Sequence, residues 1–390
     1  MKQGNMLALV QTIGIDLGDK SHQLCMLDEA GQVVMEGAVP NTMHALEKMF
    51  SALPRSLVVL EAGTHSPWVS AALASWGHEV LVANPRKLRA ISDSQQKSDR
   101  HDARLLARLA RADRALLSPI RHRGAGTQAD LALIKARHAL VRSRSMLVNH
   151  CGGITKSLGG RLPPCSAESF HKQQEAVPVE LREALEPVIR AIAETTTKIR
   201  QLERKIEALA EEKYPESQKL TQPVGVGLLT ALAFMLVLED PARFAKSRQV
   251  GPYLGLSPAR DQSGEVDKQL HITKAGDGYL RALLVQCAHH VLSKRSKPCE
   301  LKTWGLKLAE RGGKAAKKRA VVAVARRLAV QMHRLWIGGE PYDAFYATKR
   351  REEEAKNKEA LKERTITRRR PPLNKRRLKT ARSLPTATTG

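Results

Sequence analysis

Aromatic residues are scarce in this sequence, only 4% of 390 positions. Sequence-tolerant capture of single-stranded bases relies on exposed rings, so that scarcity weakens any reading of the chain as a stacking platform. Cysteine is sparse too. Cys25, Cys151, Cys165, Cys287 and Cys299 are odd in number, far apart, and form no C-x-x-C pair. Neither a zinc knuckle nor a disulfide framework is indicated, and a reducing cytosol suits such a chain. Long apolar runs are missing: Leu228 to Leu238 is the longest, too short to cross a bilayer. The opening MKQGNMLALVQTIG has one Lys and too brief an apolar stretch for a secretory signal. There is no lipidation signal or long amphipathic anchor. A soluble protein of the bacterial cytoplasm, associated with the nucleoid and not with a membrane, is expected.

Acid is the remaining shortage. Lys and Arg number 65 against 39 Asp and Glu, a net charge of +26 with a pI near 10.2. A surplus of that size calls for a polyanionic partner, most simply nucleic acid. It deepens at the end of the chain. From Arg364 to Arg382 there is no acid at all, while Arg368, Arg369, Arg370, Lys375, Arg376, Arg377 and Lys379 follow in quick succession. That stretch reads as a disordered tail gripping phosphates without sequence preference. Hydrophobic residues still make up 42%, enough for two or three folded domains.

The first third alternates strand and helix signals. Residues 11–17 (QTIGIDL) read as a buried strand ending at Gly18. Residues 22–28 and 31–38 read as two antiparallel strands around Glu29-Ala30-Gly31. An amphipathic helix over 42–52, an apolar strand at 56–63, a helix from Pro67 to Trp76 and a strand at 78–83 follow. This order predicts an α/β ribonuclease H-like domain over residues 1–115, with Asp16 on the first strand and Glu61 ending the fourth as spatial neighbours. Next comes Lys97 to Arg111, KSDRHDARLLARLAR. Asp99 and Asp102 lie three apart at its start, so a helix sets both carboxylates on one face. Two acids at a helix N-terminus also complement the macrodipole without any further role.

Long helices occupy the middle, 116–215. One is expected over 126–150, then a loop or linker at 151–170 rich in Gly, Pro and Ser. Over 181–213, Leu185, Val188, Ile192, Thr195, Ile199, Leu202, Ile206 and Leu209 repeat in steps of three and four. That seam fits a coiled coil joining chains into a dimer or tetramer, an antiparallel hairpin with the 126–150 helix, or a plain amphipathic helix. A mostly helical domain is expected over 216–345. In it, Pro223-Val224-Gly225-Val226-Gly227 reads as either a phosphate-binding hairpin or a tight structural turn. Residues 249–258 read as a loop and 261–266 as a polar turn. A short strand, a helix through Leu280, Leu283, Leu284 and Cys287, and another over 314–335 come after. The basic tail fills 346–390.

Asp16 and Glu61 each sit in or end an apolar strand, where an unpaired carboxylate is costly. The chemical reason to bring them to Asp99 and Asp102 is a pair of divalent cations. Hard oxygen ligands suit Mg²⁺, and two ions can stabilise the entering and leaving oxygens of phosphoryl transfer.

GIDLGDKSHQL, VVLEAG, NPRKLRAISDSQQKSDRHDARLLA and VGPYLGLSPARDQSGEVDKQLHITKAGDGYLRALLVQCAH closely resemble segments of the DEDD transposases. These are insertion-sequence recombinases with a RuvC-like N-terminal domain. The resemblance runs from about residue 10 to 340 and leaves out the tail. It implies that Asp16, Glu61, Asp99 and Asp102 bind the metals. It also implies that a C-terminal serine attacks DNA and forms a phosphoserine link, in a composite site made when the two domains meet. Ser263, in Asp261-Gln262-Ser263-Gly264, matches that serine best. Glu265 stands where members often carry a second glycine, and Ser257, followed by Pro258, is the weaker candidate. The resemblance further implies donor and target DNA as substrates and a structured guide RNA encoded by the element.

Three other readings compete. GIDLGDK resembles the first phosphate hairpin of actin-like ATPases and sugar kinases, but no second D-x-G loop follows. A RuvC-like junction resolvase would use the four acids with water as nucleophile. A non-catalytic nucleic-acid-binding protein would need no metal.

Overall fold

A computed structural model describes residues 11–88, 98–339, 341–346 and 348–350, together with 353, 356 and 357. The basic stretch Arg364 to Arg382 lies outside the described residues. The chain divides into two compact units, Met1–Ala125 and Gly126–Gly390.

The first unit is built on a five-stranded sheet. Its strands are β1 (Thr12–Asp16), β2 (Ser21–Leu27), β3 (Val33–Pro40), β4 (Leu57–Glu61) and β5 (Glu79–Ala83), in the order β3-β2-β1-β4-β5. β1 pairs antiparallel with β2 and parallel with β4, and β4 is parallel to β5. This mixed sheet is compatible with the ribonuclease H-like arrangement expected from the strand order. β3 starts two residues later than its pattern indicated. A turn closed by Asp28 N–H donating to the Gln32 carbonyl, with Gly31 at φ +83°, takes up those residues.

Helices cover both faces. α1 (Met43–Phe50) and α2 (Ser66–Ser75) pack on the side of Ile13, Ile15, Val58 and Leu60. α3 (Asp99–Ala112) packs on the other, against Leu57, Val59, Cys25 and Leu27. Strands buried on both faces read as near-continuous apolar runs, which is why VVL in β4 shows no alternation.

In the second unit, α4 (Ala125–Ser157) and α5 (Val179–Glu212) form an antiparallel hairpin. Asp130 meets Lys213 and Tyr214, Arg137 Nε donates to Glu203 at 2.9 Å, and Arg144 donates to Thr196 at 3.3 Å. α4 runs beyond residue 150, through Gly152-Gly153, into the stretch read as linker. Leu147, Val148, Cys151 and Ile154 share one apolar cluster with Leu181, Leu185, Ile189 and Ile192, and that burial overrides the helix penalty of two glycines. The α5 seam also differs in half its positions. Leu185, Ile192, Ile199 and Ile206 are buried as expected. Between them Ile189, Thr196 and Ala210 are buried in place of Val188, Thr195 and Leu209. The buried face turns because α5 packs against the 170–177 segment as well as α4.

α6 (Leu228–Leu238) is buried almost throughout, in the core formed with α8 (Gly278–Leu292) and α10 (Gly313–Ile337). The turn before α6 packs tightly on α8: a Cβ at Gly225 would lie 3.0 Å from the Cys287 carbonyl. α7 (Val250–Tyr253) and α9 (Glu300–Ala309) belong to the same unit. The 249–266 region is not simply loop and turn. β6 (Pro258–Ser263) and β7 (Val266–Ile272) form a two-stranded hairpin. Every residue from Arg260 to His271 is exposed, so the ribbon has no buried face to impress an alternating pattern on the sequence.

Candidate active site

Alternation along β1 decides where Asp16 points. Ile13 and Ile15 enter the core beneath α1 and α2, so Gly14 and Asp16 face α3. The same rule applied to β4 puts Leu57, Val59 and Glu61 on the α3 side. β1 and β4 run parallel with Ile15 opposite Leu60, so Asp16 and Glu61 end neighbouring strands side by side.

Gly14 lets α3 come down onto the sheet. A Cβ there would lie 2.0 Å from the Ala103 carbonyl oxygen and 2.7 Å from the Ala107 nitrogen. Ala103, Ala107 and Ala110 give the helix a face without bulk, and all three are buried. Ser98 caps the helix by accepting from His101 N–H at 3.2 Å, and Asp99 and Asp102 occupy the first turn. The close contact at Ala103 thus sets the acid-bearing turn of α3 near the strand ends. Gly14 was not singled out from sequence. The signal was the pairing of a strand glycine with an alanine-lined helix face, which becomes visible only once the two elements are known to cross.

The acids also act on one another electrostatically. Burial, followed by the charges of Asp99, Asp102 and Glu61, pushes the Asp16 carboxyl up from 3.8 to about 6, against the Leu17 backbone N–H. Burial and then Asp102 also raise Glu61. Oδ1 of Asp102 is buried and has no hydrogen-bond partner among the described residues.

Among the described residues no three His, Cys, Asp or Glu side chains are grouped so as to hold one metal ion. The donor set nevertheless fits a hard divalent cation. Four oxygen ligands of one sign repel each other, and an orphaned buried carboxylate oxygen lacks the positive partner a cation would be. Around this centre the loop after Glu61 is pinned. Ser66 Oγ donates to the Gly63 carbonyl at 2.8 Å, accepts from Gly63 N–H at 2.9 Å, and lies 2.9 Å from His122 Nε2. His65 Nε2 is 3.3 Å from Asp19 on the β1–β2 turn.

Ser263 belongs to the other unit. It is the last residue of β6, exposed, and paired with Val266 across the two-residue turn Gly264-Glu265. Gly264 takes φ +56°, which serves the first position of such a turn, and Glu265 needs no positive φ. The glutamate in place of a second glycine is therefore compatible with the turn. Arg260 ties the strands with a forked pair to Asp267 at 2.6 and 2.5 Å. Ser257 is half-buried before β6, and its carbonyl accepts from Thr273 N–H.

Two family models match the chain. One, described as a transposase of the IS110 DEDD type, matches residues 13–157, and the other, the transposase IS116/IS110/IS902 family, matches residues 217–303. The first span holds all four acids and the second holds Ser263. The chain belongs to this family of DEDD transposases and is an enzyme of the DNA transposase class.

Individual relatives extend over most of the chain. It is 28% identical over 343 residues to the transposase for insertion sequence element IS1111A of Coxiella burnetii, covering 85% of this chain and 91% of that protein. It is 26% identical over 283 residues to the transposase for insertion sequence element IS1328 of Yersinia enterocolitica, covering 72% and 83%. It is 24% identical over 347 residues to a pilin gene-inverting protein of Moraxella lacunata, covering 85% and 97%. No helix among the described residues is long and apolar enough to cross a membrane.

Proposed function

We propose that this protein cuts and rejoins DNA to mobilise an insertion sequence, with Asp16, Glu61, Asp99 and Asp102 holding divalent cations and Ser263 supplying the attacking hydroxyl. The observation that carries this reading is geometric. Asp16 and Glu61 end adjacent parallel strands on the face where α3 brings its two acids.

The four carboxylates would hold Mg²⁺, two ions by the chemistry of the ligand set. When bound, the cations neutralise the phosphodiester and favour the ionised form of an attacking hydroxyl. The chain's own contribution is placement. Gly14 sets the depth of α3, the Ser98 cap fixes its first turn, and the Ser66–Gly63–His122 knot holds the loop behind Glu61. Ser263 Oγ forms a phosphoester as the P–O bond of the strand breaks. In net terms the serine proton passes to the released sugar hydroxyl, and reversal on a second strand end restores DNA. The hairpin presents that hydroxyl on an exposed turn, open to a strand.

The wider reading has the protein working on donor and target DNA in the bacterial cytoplasm, close to the nucleoid. A structured RNA encoded by the element guides it, and it acts as a homo-oligomer whose contacts include the α5 region. The net charge of +26 supports polyanionic partners of both kinds.

Strand-transfer assays with Asp16→Ala and Ser263→Ala test the chemistry. Both should abolish recombination while leaving nucleic-acid binding, and recombination retained in both would overturn the proposal. A second reading rests on the placement of the acids and Ser263 in different units: the acids alone serve a RuvC-like resolvase that uses water. A protein–DNA adduct that survives denaturation and disappears in Ser263→Ala decides for the serine.

A further inference from the structure

Aromatic residues are rare along the chain, yet several gather at one cleft of the second unit. This cleft has a volume of about 900 Å³ and is bounded by α10, the start of α9 and residues 338–339 and 341–346. It lies within the size range of small-ligand pockets, roughly 300–1,000 Å³. Trp304, Tyr342 and Tyr346 supply rings to its wall, and Arg248, Arg326 and Arg334 supply guanidinium groups. The acids nearby are already matched. Glu300 pairs with Arg327 at 3.3 Å, and Asp343 pairs with Lys349 at 2.8 Å. Arg248, Arg326 and Arg334 enter no ion pair among the described residues, so the cleft keeps a positive excess.

We infer that this cleft binds an unpaired nucleotide segment, its base against the Trp304 and tyrosine rings and its phosphates on Arg248, Arg326 and Arg334. Three observations favour that ligand over a duplex or a plain anion. The walls combine π-faces with forked donors, the pairing that single strands use and that a bare phosphate does not need. A duplex keeps its bases stacked inside its backbone, so it has no free base for the rings and nothing to seat it in the cleft. The site is also pre-organised. The Arg327 guanidinium sits 4.8 Å from the Trp304 ring centre and is held there by Glu300, fixing the indole. The stem of Arg326 lies so close over Gly251 that a Cβ there would meet its Cγ at 2.8 Å, which fixes the arginine.

The inference rests only on the nucleic-acid part of the proposed function and is independent of the carboxylate chemistry, so binding is measured on the full chain with EDTA present. Short labelled oligo(dT), oligo(U) and a mixed-sequence duplex are titrated by fluorescence anisotropy. Combining Arg248→Ala, Arg326→Ala and Arg334→Ala should weaken single-strand binding at least tenfold and lower the salt slope by about 2, near 0.7 per phosphate contact. Duplex affinity should stay within twofold. Oligo(dU) titrated beside oligo(U), so that only the sugar differs, identifies the sugar the cleft takes. Single strands should also quench part of the indole emission, and that part should vanish in Trp304→Phe. Single-strand affinity within twofold of wild type, equal losses for single strand and duplex, or quenching that survives in Trp304→Phe would each overturn the inference. Failed recombination with intact cleft binding would count against the catalytic reading alone.

Discussion

Asp16 carries opposing demands. Its carboxyl is driven up to about 6 by burial and by three neighbouring acids, while in an unfolded chain it would sit near 3.8. Between those values the folded protein holds more protons than the unfolded one, so stability falls as pH rises through that window. The penalty is complete above about pH 6 and is relieved as pH drops toward 3.8. Glu61 moves in the same direction. In EDTA, the melting temperature should therefore rise between pH 7 and pH 5. Asp16→Asn should flatten that rise and stabilise the metal-free protein at pH 7 by roughly 1–2 kcal/mol, after allowance for partial exposure. The same variant should lose strand transfer. Scanning calorimetry at both pH values checks the first outcome, and a wild-type chain whose melting point is flat or falls toward pH 5 would contradict it. Gly14 works in the opposite sense. Gly14→Ala forces a methyl group against the Ala103 carbonyl, so α3 must lift. A loss of roughly 1–3 kcal/mol is expected, together with strongly reduced recombination, since the lifted turn carries Asp99 and Asp102. Unchanged unfolding by urea would show that the helix does not rest there.

At the level of elements, legibility in the sequence followed burial. β1 and β4, covered on both faces, announced themselves as apolar runs, and their acids stood out because a carboxylate does not belong there. α3 was equally plain from Asp99 and Asp102, three apart at the head of a helical run. β6 was missed and β7 was expected only as a short strand at its end, because an exposed ribbon carries no hydrophobic period, and the extension of α4 was missed because Gly152-Gly153 imitates a linker. The α5 seam was half legible. Steps of three and four fit two registers, and only the position of the covering segment chooses Thr196 over Thr195. That choice has an odd result. Arg144 of α4 is buried opposite Thr196, with its Nε unpaired among the described residues and Glu168 at 3.8 Å. A half-satisfied buried cation stabilises less than apolar packing of similar volume. Arg144→Met with Thr196→Val should therefore be neutral or raise the melting temperature. Thr196→Val alone should lower stability by about 1–3 kcal/mol, because it strips the guanidinium of a partner. A double-mutant cycle by chemical denaturation measures both, and a single and double variant of equal stability would refute the coupling.

For the whole molecule, charge is unevenly distributed along the chain. A chain of net charge +26 nevertheless sets four acids, Asp16, Glu61, Asp99 and Asp102, within electrostatic reach of one another, where a polyanion would be repelled. Attraction must come from elsewhere, and the sequence places its densest cations after residue 363. Each phosphate contact contributes about 0.9 to the slope of log affinity against log salt for duplex DNA. Truncation after residue 357 should therefore reduce that slope by several contacts' worth and weaken duplex binding most at low salt. It should spare the cleft's preference for single strands, since Tyr346, Lys349 and Arg350 are retained. Because the truncated protein retains all four acids and Ser263, strand transfer should survive at high DNA concentration, with a higher apparent KM and a kcat near that of the full chain. Anisotropy titrations across a salt series, with recombination measured at saturating DNA, separate the two effects. A slope unchanged by truncation would mean that the phosphate grip lies on the folded units. A kcat that collapses at saturation would mean that the tail takes part in the reaction and does more than recruit DNA.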